Sequence, residues 1–406
     1  MADSESYKYG IWILDLYKYS IMQPRSAEQL LRRYSHQFRA VAVVGPRQSG
    51  KTTLVRKVFP RKPYVSLEDP DERMLAATDP RSFLGRYNNG AIIDEAQRVP
   101  ELFNYMQGLL DKTRKDGFFI LTGSNNFLLQ QSISQSLAGR IGYIDLLPLC
   151  HKEIIQFGHK GYSVDALMLN GCYPEIYDKG RKPTVWYPAY VRTYIERDVR
   201  QIRNIDNILL FNRFLKLCAG RTGQQLNISA LSNETGVDIK TIQAWLGVLQ
   251  SSYIIHLLPP YHKNFNKRVV KTPKLYFMDT GLACSLLGIR QEEELANSHF
   301  RGALFENYVI MELIKRKFNS GSASGFYYWK ENNGLEIDLL IDTGKELIAH
   351  EIKAAATYQE SLLKNLHHWR KVSGSGRNVL LYNGQLEFQG RDHPQVMNWM
   401  NYKFKG

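Results

Sequence analysis

The segment Gly45-Pro46-Arg47-Gln48-Ser49-Gly50-Lys51-Thr52 follows the apolar run Val41–Val44 and matches the pattern GxxxxGK[ST]. A buried strand that ends in a glycine-rich turn and runs into a helix N-terminus wraps backbone N–H groups around phosphate oxygens. Lys51 would reach the outer phosphates and Thr52 would hold Mg2+, with Thr53 carrying the cradle into the helix. ATP and Mg2+ are therefore the expected cofactors. About forty residues on, Gly90–Gln97 reads as a second short buried strand ending in Asp94 and Glu95. Asp94 is placed to support the magnesium shell and Glu95 to polarise an attacking water. A third strand, Phe118–Asn125, ends in Ser124 and Asn125, which would read the terminal phosphate or orient water. The plainer reading of each strand end is a cap or turn.

A second constellation lies in the last third. Glu306 falls in the amphipathic segment Gly302–Ile314, Asp338 in Gly334–Ile341, and Glu351 and Lys353 in Ala349–Ala354. On a strand, Glu351 and Lys353 share a face because side chains alternate, and His350 faces the other way. Asp338, Glu351 and Glu306 around one divalent ion, with Lys353 orienting water, form a set suited to metal-dependent phosphodiester cleavage. The competing reading is solvent-facing charge or a structural Lys353–Glu351 network.

These groups need a frame. Three strands of parallel type separated by helix-length segments predict an open α/β sheet that binds ligands beyond the carboxyl ends of its strands. The expected order is a helical lead-in over 1–37, with Ala27–Tyr34 its clearest helix, then a nucleotide domain over 38–205 with a further strand over 62–67. Arg140, in Ser136–Arg140, would face this chain's nucleotide or a neighbouring subunit's, stabilising developing phosphoryl charge across an oligomer interface; the alternative is a simple ion pair. Arg192, Glu196 and Arg200 read as a charged helix face.

Ile228–Thr235, a turn at Gly236–Asp238 and Ile239–Leu249 read as a helix-turn-helix, and the β-prone runs Tyr253–Leu258 and Lys274–Met278 make it a winged-helix domain over 206–290. Lys263, Lys267, Arg268, Lys271 and Lys274 form a candidate phosphate-contact strip without an acidic residue among them. Such a module serves either DNA contact or protein docking. Trp245 reads as core, from its place in the apolar pattern. A C-terminal α/β domain over 291–406 completes the chain.

At 406 residues and 44% apolar content the chain is too long for one ordinary core and too apolar for wholesale disorder. A formal charge of +14 favours polyanionic partners. Cys150, Cys172, Cys218 and Cys284 form no CxxC pair, which argues against a zinc site or disulfide framework and fits a cytoplasmic location. No run of eighteen apolar residues occurs, so stable membrane insertion is not expected. The interrupted run Ile11–Tyr17 reads as a docking segment.

Taken in order, the segments 45–54, 91–103, 120–129, 136–140, 194–199, 274–288, 302–313, 334–341 and 350–355 resemble a bacterial and archaeal family of predicted AAA+-type ATPases with a C-terminal domain of unknown function. The resemblance implies that Gly45–Thr52 binds ATP, that Asp94 and Glu95 are the magnesium and hydrolytic acids, that Ser124 or Asn125 senses phosphate, and that Arg140 is the arginine candidate. It also implies a restriction-endonuclease-like C-terminal fold whose metal pattern falls on Asp338, Glu351 and Lys353, although Ile337 stands where such nucleases often carry proline. The expected activity is Mg2+-dependent ATP hydrolysis coupled to DNA association. The alternatives are an ATP-controlled protein-interaction switch with little turnover, and an ATPase with metal-dependent nuclease activity.

Overall fold

A computed structural model describes residues 23–124, 137–195, 207–261, 272–322, 325–331, 334–374, 376–390 and 393–403. It divides into two compact units, Met1–Gly158 with Phe318–Gly321, and His159–Lys317 with Ser322–Gly406. The first unit thus closes well ahead of the expected boundary at 205, because the helices after Gly158 are pinned within the second unit.

In the first unit, strands β1 (Ala40–Val44), β2 (Tyr64–Ser66), β3 (Ala91–Asp94), β4 (Phe119–Gly123) and β5 (Ile141–Asp145) form one sheet in the order β2-β3-β4-β1-β5. All of its pairings are parallel. β1, β3 and β4 are buried along their whole length, as near-continuous apolar runs in a parallel sheet require. Helix α1 (Glu28–Ser35) sends Leu30 and Leu31, and helix α2 (Lys51–Val58) sends Leu54, Val55 and Val58, onto Val41, Val43, Ile92 and Ile120. Because β4 lies between β1 and β3 and all three run parallel, their carboxyl ends open on one edge.

The second unit begins with α3 (Val164–Asn170), α4 (Pro174–Asp178) and α5 (Pro183–Tyr190). Asp279 pins them: its buried carboxylate accepts from Cys172 N at 2.6 Å and Tyr187 Oη at 2.6 Å, and caps α9 (Thr280–Leu287) through Leu282 N at 3.0 Å. Between these lie α6 (Ile208–Ala219), α7 (Ile228–Thr235) and α8 (Ile239–Ser251), followed by an antiparallel pair, β6 (Ile255–Leu258) and β7 (Lys274–Phe277). Asn227 and Asp238 cap α7 and α8 with their side chains, and Gly236 ends α7 in the left-handed region at φ 74°. Trp245 is buried against Phe211 and Phe214, as its apolar spacing predicts. Residues 196–206, with Glu196 and Arg200, and residues 262–271, with Lys263, Lys267, Arg268 and Lys271, lie outside the described residues. Val191–Ile195 is a π-helical turn.

Helix α10 (Arg301–Ser320) precedes a second sheet of β8 (Gly325–Lys330), β9 (Glu336–Asp342), β10 (Leu347–Lys353), β11 (Arg377–Tyr382) and β12 (Gln395–Asn398). Its order is β12-β11-β10-β9-β8, antiparallel from β8 to β10 and parallel from β10 to β12. Helix α11 (Lys364–Ser373) crosses from β10 to β11 and packs Leu366 and Trp369 on Leu340, Ala349 and Leu380.

Candidate functional site

The turn after β1 takes its shape from local constraints. Gly45 sits at φ 151°, and a Cβ there would lie 2.2 Å from Leu146 O, so only glycine fits between β1 and the segment after β5. Gln48 and Gly50 adopt φ 61° and 91°, which curls the loop before α2 begins at Lys51. Lys51, buried, donates from Nζ to Gly45 O at 3.0 Å and Pro46 O at 2.7 Å, so its ammonium lies folded over the loop. The Ser49 hydroxyl is fully buried without a hydrogen-bond partner. A buried ammonium, an orphaned hydroxyl and a helix N-terminus in one turn fit a phosphate chain.

Asp94 ends β3 and accepts from Thr52 Oγ1 at 3.0 Å, Tyr64 Oη at 2.7 Å and the Thr122 hydroxyl. Burial, and then the charge of Asp94, pushes the Tyr64 phenol well above its ordinary range, so it stays a donor. Thr52 and Asp94 are thus together, as an Mg2+ shell requires, and fit the ion. Glu95 follows in the left-handed region at φ 53° and accepts from Ser124 Oγ at 3.0 Å and from Gln97 Nε2. Gln97 also lies 3.5 Å from Ser124 Oγ. Gln97 was not singled out from the sequence; it sits in the polar turn Glu95-Ala96-Gln97-Arg98, and only its burial in the fold sets it apart. Asn125 lies outside the described residues.

Arg25 supports the loop from behind. It donates to Ser49 O at 2.7 Å and Leu147 O at 2.8 Å, and pairs through Nε with the fully buried Glu153 at 3.2 Å. Glu153 also accepts from Ser26 N and Cys150 N. Burial raises the Glu153 pKa, but Arg25 and these N–H groups outweigh it and hold the carboxyl below its ordinary value. No local motif marks this pair, because its partners are far apart in the chain.

Arg140 does not join the site. It forms a two-pronged pair with Asp111, at 2.7 and 3.0 Å, and its carbonyl accepts from Ala40 N. That places it at the amino end of β1, about 16 Å from the loop at ~3.3 Å per residue. The reading in which Arg140 serves its own chain's nucleotide is therefore corrected, because β5 runs parallel to β1 and starts at the far edge.

In the second unit, Asp338, Glu351 and Lys353 do converge. Lys353 Nζ lies 3.1 Å from Asp338 Oδ2 and 2.7 Å from Glu351 Oε1. Asn365 Nδ2 donates to Glu351 Oε1 at 3.0 Å, and Ile352 N donates to Asp338 Oδ2 at 2.8 Å. Glu351 Oε2 is buried without a hydrogen-bond partner. Burial and the charge of Asp338 push the Glu351 pKa up to about 8, against the pull of Lys353. A buried carboxylate oxygen left unpaired beside a second carboxylate fits a divalent cation. His350 faces away, as expected, and lies 2.7 Å from Tyr402 Oη.

Glu306 is held elsewhere in the same cluster. It accepts from Lys274 Nζ at 3.0 Å and from Tyr276 Oη at 2.5 Å. Lys274 also pairs with Glu336, whose other oxygen is 2.7 Å from Lys330. Burial lowers the Lys274 pKa, but Glu306, Asp338 and Glu336 reverse this and keep the ammonium charged. Lys274 was expected on the phosphate-contact strip; instead it is 3% exposed and turned inward, because position one of β7 points into the unit. Among the described residues no helix is long and apolar enough to cross a membrane.

Comparison with known proteins places an AAA domain over residues 37–155 and two domains of unknown function, DUF8612 over 162–293 and DUF4143 over 301–402. The uncharacterized proteins Rv2008c of Mycobacterium tuberculosis and Mb2031c of Mycobacterium bovis are each 30% identical over 372 residues, covering 91% of this chain and 82% of the relative. The uncharacterized protein MJ1544 of Methanocaldococcus jannaschii is 26% identical over 84% of this chain and 82% of its own length. Among solved structures, the Walker-type ATPase PABY2304 of Pyrococcus abyssi superposes with a TM-score of 0.44 at 14% identity, over 66% of this chain and 99% of that one.

Proposed function

The chain belongs to the family of the mycobacterial proteins Rv2008c and Mb2031c and carries an AAA-type ATPase domain ahead of a distinct C-terminal domain of unknown function, and on that premise we propose that it hydrolyses ATP with Mg2+ and couples the cycle to DNA. The observation that carries the hydrolytic part is the Thr52–Asp94 contact with Glu95 beside it, at the mouth of the Lys51 loop. The loop N–H groups and Lys51 bind the phosphate chain, Lys51 exchanging its carbonyl partners for phosphate oxygens. Thr52 and Asp94 would hold the magnesium ion, which would supply charge neutralisation at the outer phosphates. Glu95 takes the proton of the attacking water once Gln97 and Ser124 release or reorient it. DNA coupling is supported by the +14 charge and by the three helices and hairpin over 208–277, an arrangement consistent with a winged helix.

The test is steady-state ATP hydrolysis with Mg2+, with and without mixed-sequence double-stranded DNA, with Lys51→Ala as control. Turnover that rises with DNA and disappears in K51A is the expected result. Tight ATP binding with neither turnover nor DNA response would instead identify an ATP-controlled protein-interaction switch.

A second reading rests on Glu351 Oε2. A helix followed by three antiparallel strands, a crossover helix and two further strands, with Asp338, Glu351 and Lys353 at its centre, is consistent with a metal-dependent nuclease. Asp338 and Glu351 would hold the ion, which supplies Lewis acidity at the phosphodiester. Cleavage of DNA with Mn2+ that survives Asp338→Asn would eliminate this assignment.

A further inference from the structure

We propose that Lys274 is a built-in cation of the acidic cluster, filling its Glu306–Glu336 half so that the Asp338–Glu351 half takes a single divalent metal ion. The proposal rests on the metal-binding part of the second reading above, and it brings in a residue from outside the C-terminal domain: Lys274 opens β7, within the preceding domain of unknown function.

The two halves are satisfied differently. Glu306 and Glu336 both contact the Lys274 ammonium, and Lys330 takes the remaining oxygen of Glu336. Tyr276 adds a hydroxyl to Glu306. Each of these partners is a donor held by the fold, and Lys274 itself is 3% exposed, so the charge is as immobile as a bound ion. In the other half, Lys353 and Asn365 both fall on Glu351 Oε1, while Oε2 stays buried and unpartnered. An unpaired buried carboxylate oxygen is costly, and a divalent ion shared with Asp338 would remove that cost.

Charge balance gives the same count. In the fully ionised form that a metal ion would bind, four carboxylates, Glu306, Glu336, Asp338 and Glu351, face three ammonium groups, Lys274, Lys330 and Lys353, leaving one negative charge in excess. One divalent ion and one phosphodiester bring the site to neutrality. A second divalent ion would leave two positive charges uncompensated and would have to displace the Lys274 ammonium from Glu306. The site is therefore shared by two sequence domains, and removing the first of them would strip the second of a charge that its carboxylates require.

The experiment counts Mn2+ bound to the full-length, nucleotide-free chain by calorimetric titration and by the free-ion signal in paramagnetic resonance. Counts are taken relative to the D338N chain, which removes any contribution from the ATP site. Wild type should bind one ion above D338N, Lys274→Gln two, and the double variant K274Q/E306Q one. Two ions in wild type, or an unchanged count in K274Q, overturns the role of Lys274 and leaves the metal reading standing. No ion in wild type above D338N sinks the metal reading itself. Should K274Q fail to fold with Glu306 left unpaired, the double variant decides: one retained ion supports the division of the cluster, and a lost ion shows that Glu306 is a metal ligand and overturns it.

Discussion

Replacing Arg25 by alanine should destabilise the nucleotide unit more than any surface change, although Arg25 lies outside every motif. The substitution removes two hydrogen bonds, to Ser49 O at 2.7 Å and Leu147 O at 2.8 Å, and the partner of a carboxylate that is fully buried. Glu153 keeps Ser26 N and Cys150 N, so its charge is not stranded entirely. Breaking a buried pair from one side costs about 3–5 kcal/mol, and the lost carbonyl contacts overlap with that figure rather than adding to it. At roughly 2–4 °C per kcal/mol for a unit of this size, the melting transition should fall by about 6–20 °C. The transition belonging to this unit is the one that Mg-ATP shifts upward in a calorimetric scan. The acid limb adds a signature: Glu153 titrates below its ordinary 4.5 when folded, so its contribution is present above that value and lost as pH falls through the depressed one. R25A should therefore lose stability at neutral pH and show a flatter decline below about pH 4.5. A fall of less than ~2 °C, or an acid limb parallel to wild type, would refute the assignment of Arg25 and Glu153 as the brace of the loop.

Three further outcomes follow from the site. Glu95→Gln should lower kcat by about 10²-fold or more while leaving ATP affinity near wild type, measured by single-turnover hydrolysis and by nucleotide titration; equal loss in both would assign Glu95 to binding. Gln97→Ala removes one of the two hydrogen bonds that restrain Glu95 Oε2, Ser124 keeping the other, and at ~1 kcal/mol for the hydrogen bond it should raise kcat by about fivefold at unchanged KM. A drop would mean that Gln97 aims Glu95 at water instead of restraining it. Trp245→Ala should cost about 3–5 kcal/mol, because the ring packs on Phe211 and Phe214 in a closed core; a loss below ~1 kcal/mol in denaturant titration would show that the indole is dispensable there.

What was legible in the chain shares one property: it depends on neighbours in sequence. The loop at 45–52 demands its own glycines and helix start, Asp94 and Glu95 announce themselves at the end of an apolar run, and α7 and α8 begin at their capping residues, Asn227 and Asp238. These signals come from backbone sterics and from local hydrogen bonding, so spacing alone carries them. Glu336 was equally legible, two residues before Asp338 on one strand, but went unweighed.

Other features required the tertiary structure. Arg140 follows a glycine near the third strand, yet the parallel entry of β5 carries it to the opposite edge of the sheet, against Asp111. Lys274 reads as one more basic residue in a charged stretch until β7 pairs with β6 and turns it inward onto Glu306 and Glu336. Arg25 and Glu153 stand 128 positions apart, and only the packing of the first unit brings the guanidinium to the loop. A charged side chain carries no local mark of where it will be desolvated. Its partner is fixed by which strands pair and which face is buried, and the free energy that decides this is distributed over the whole core.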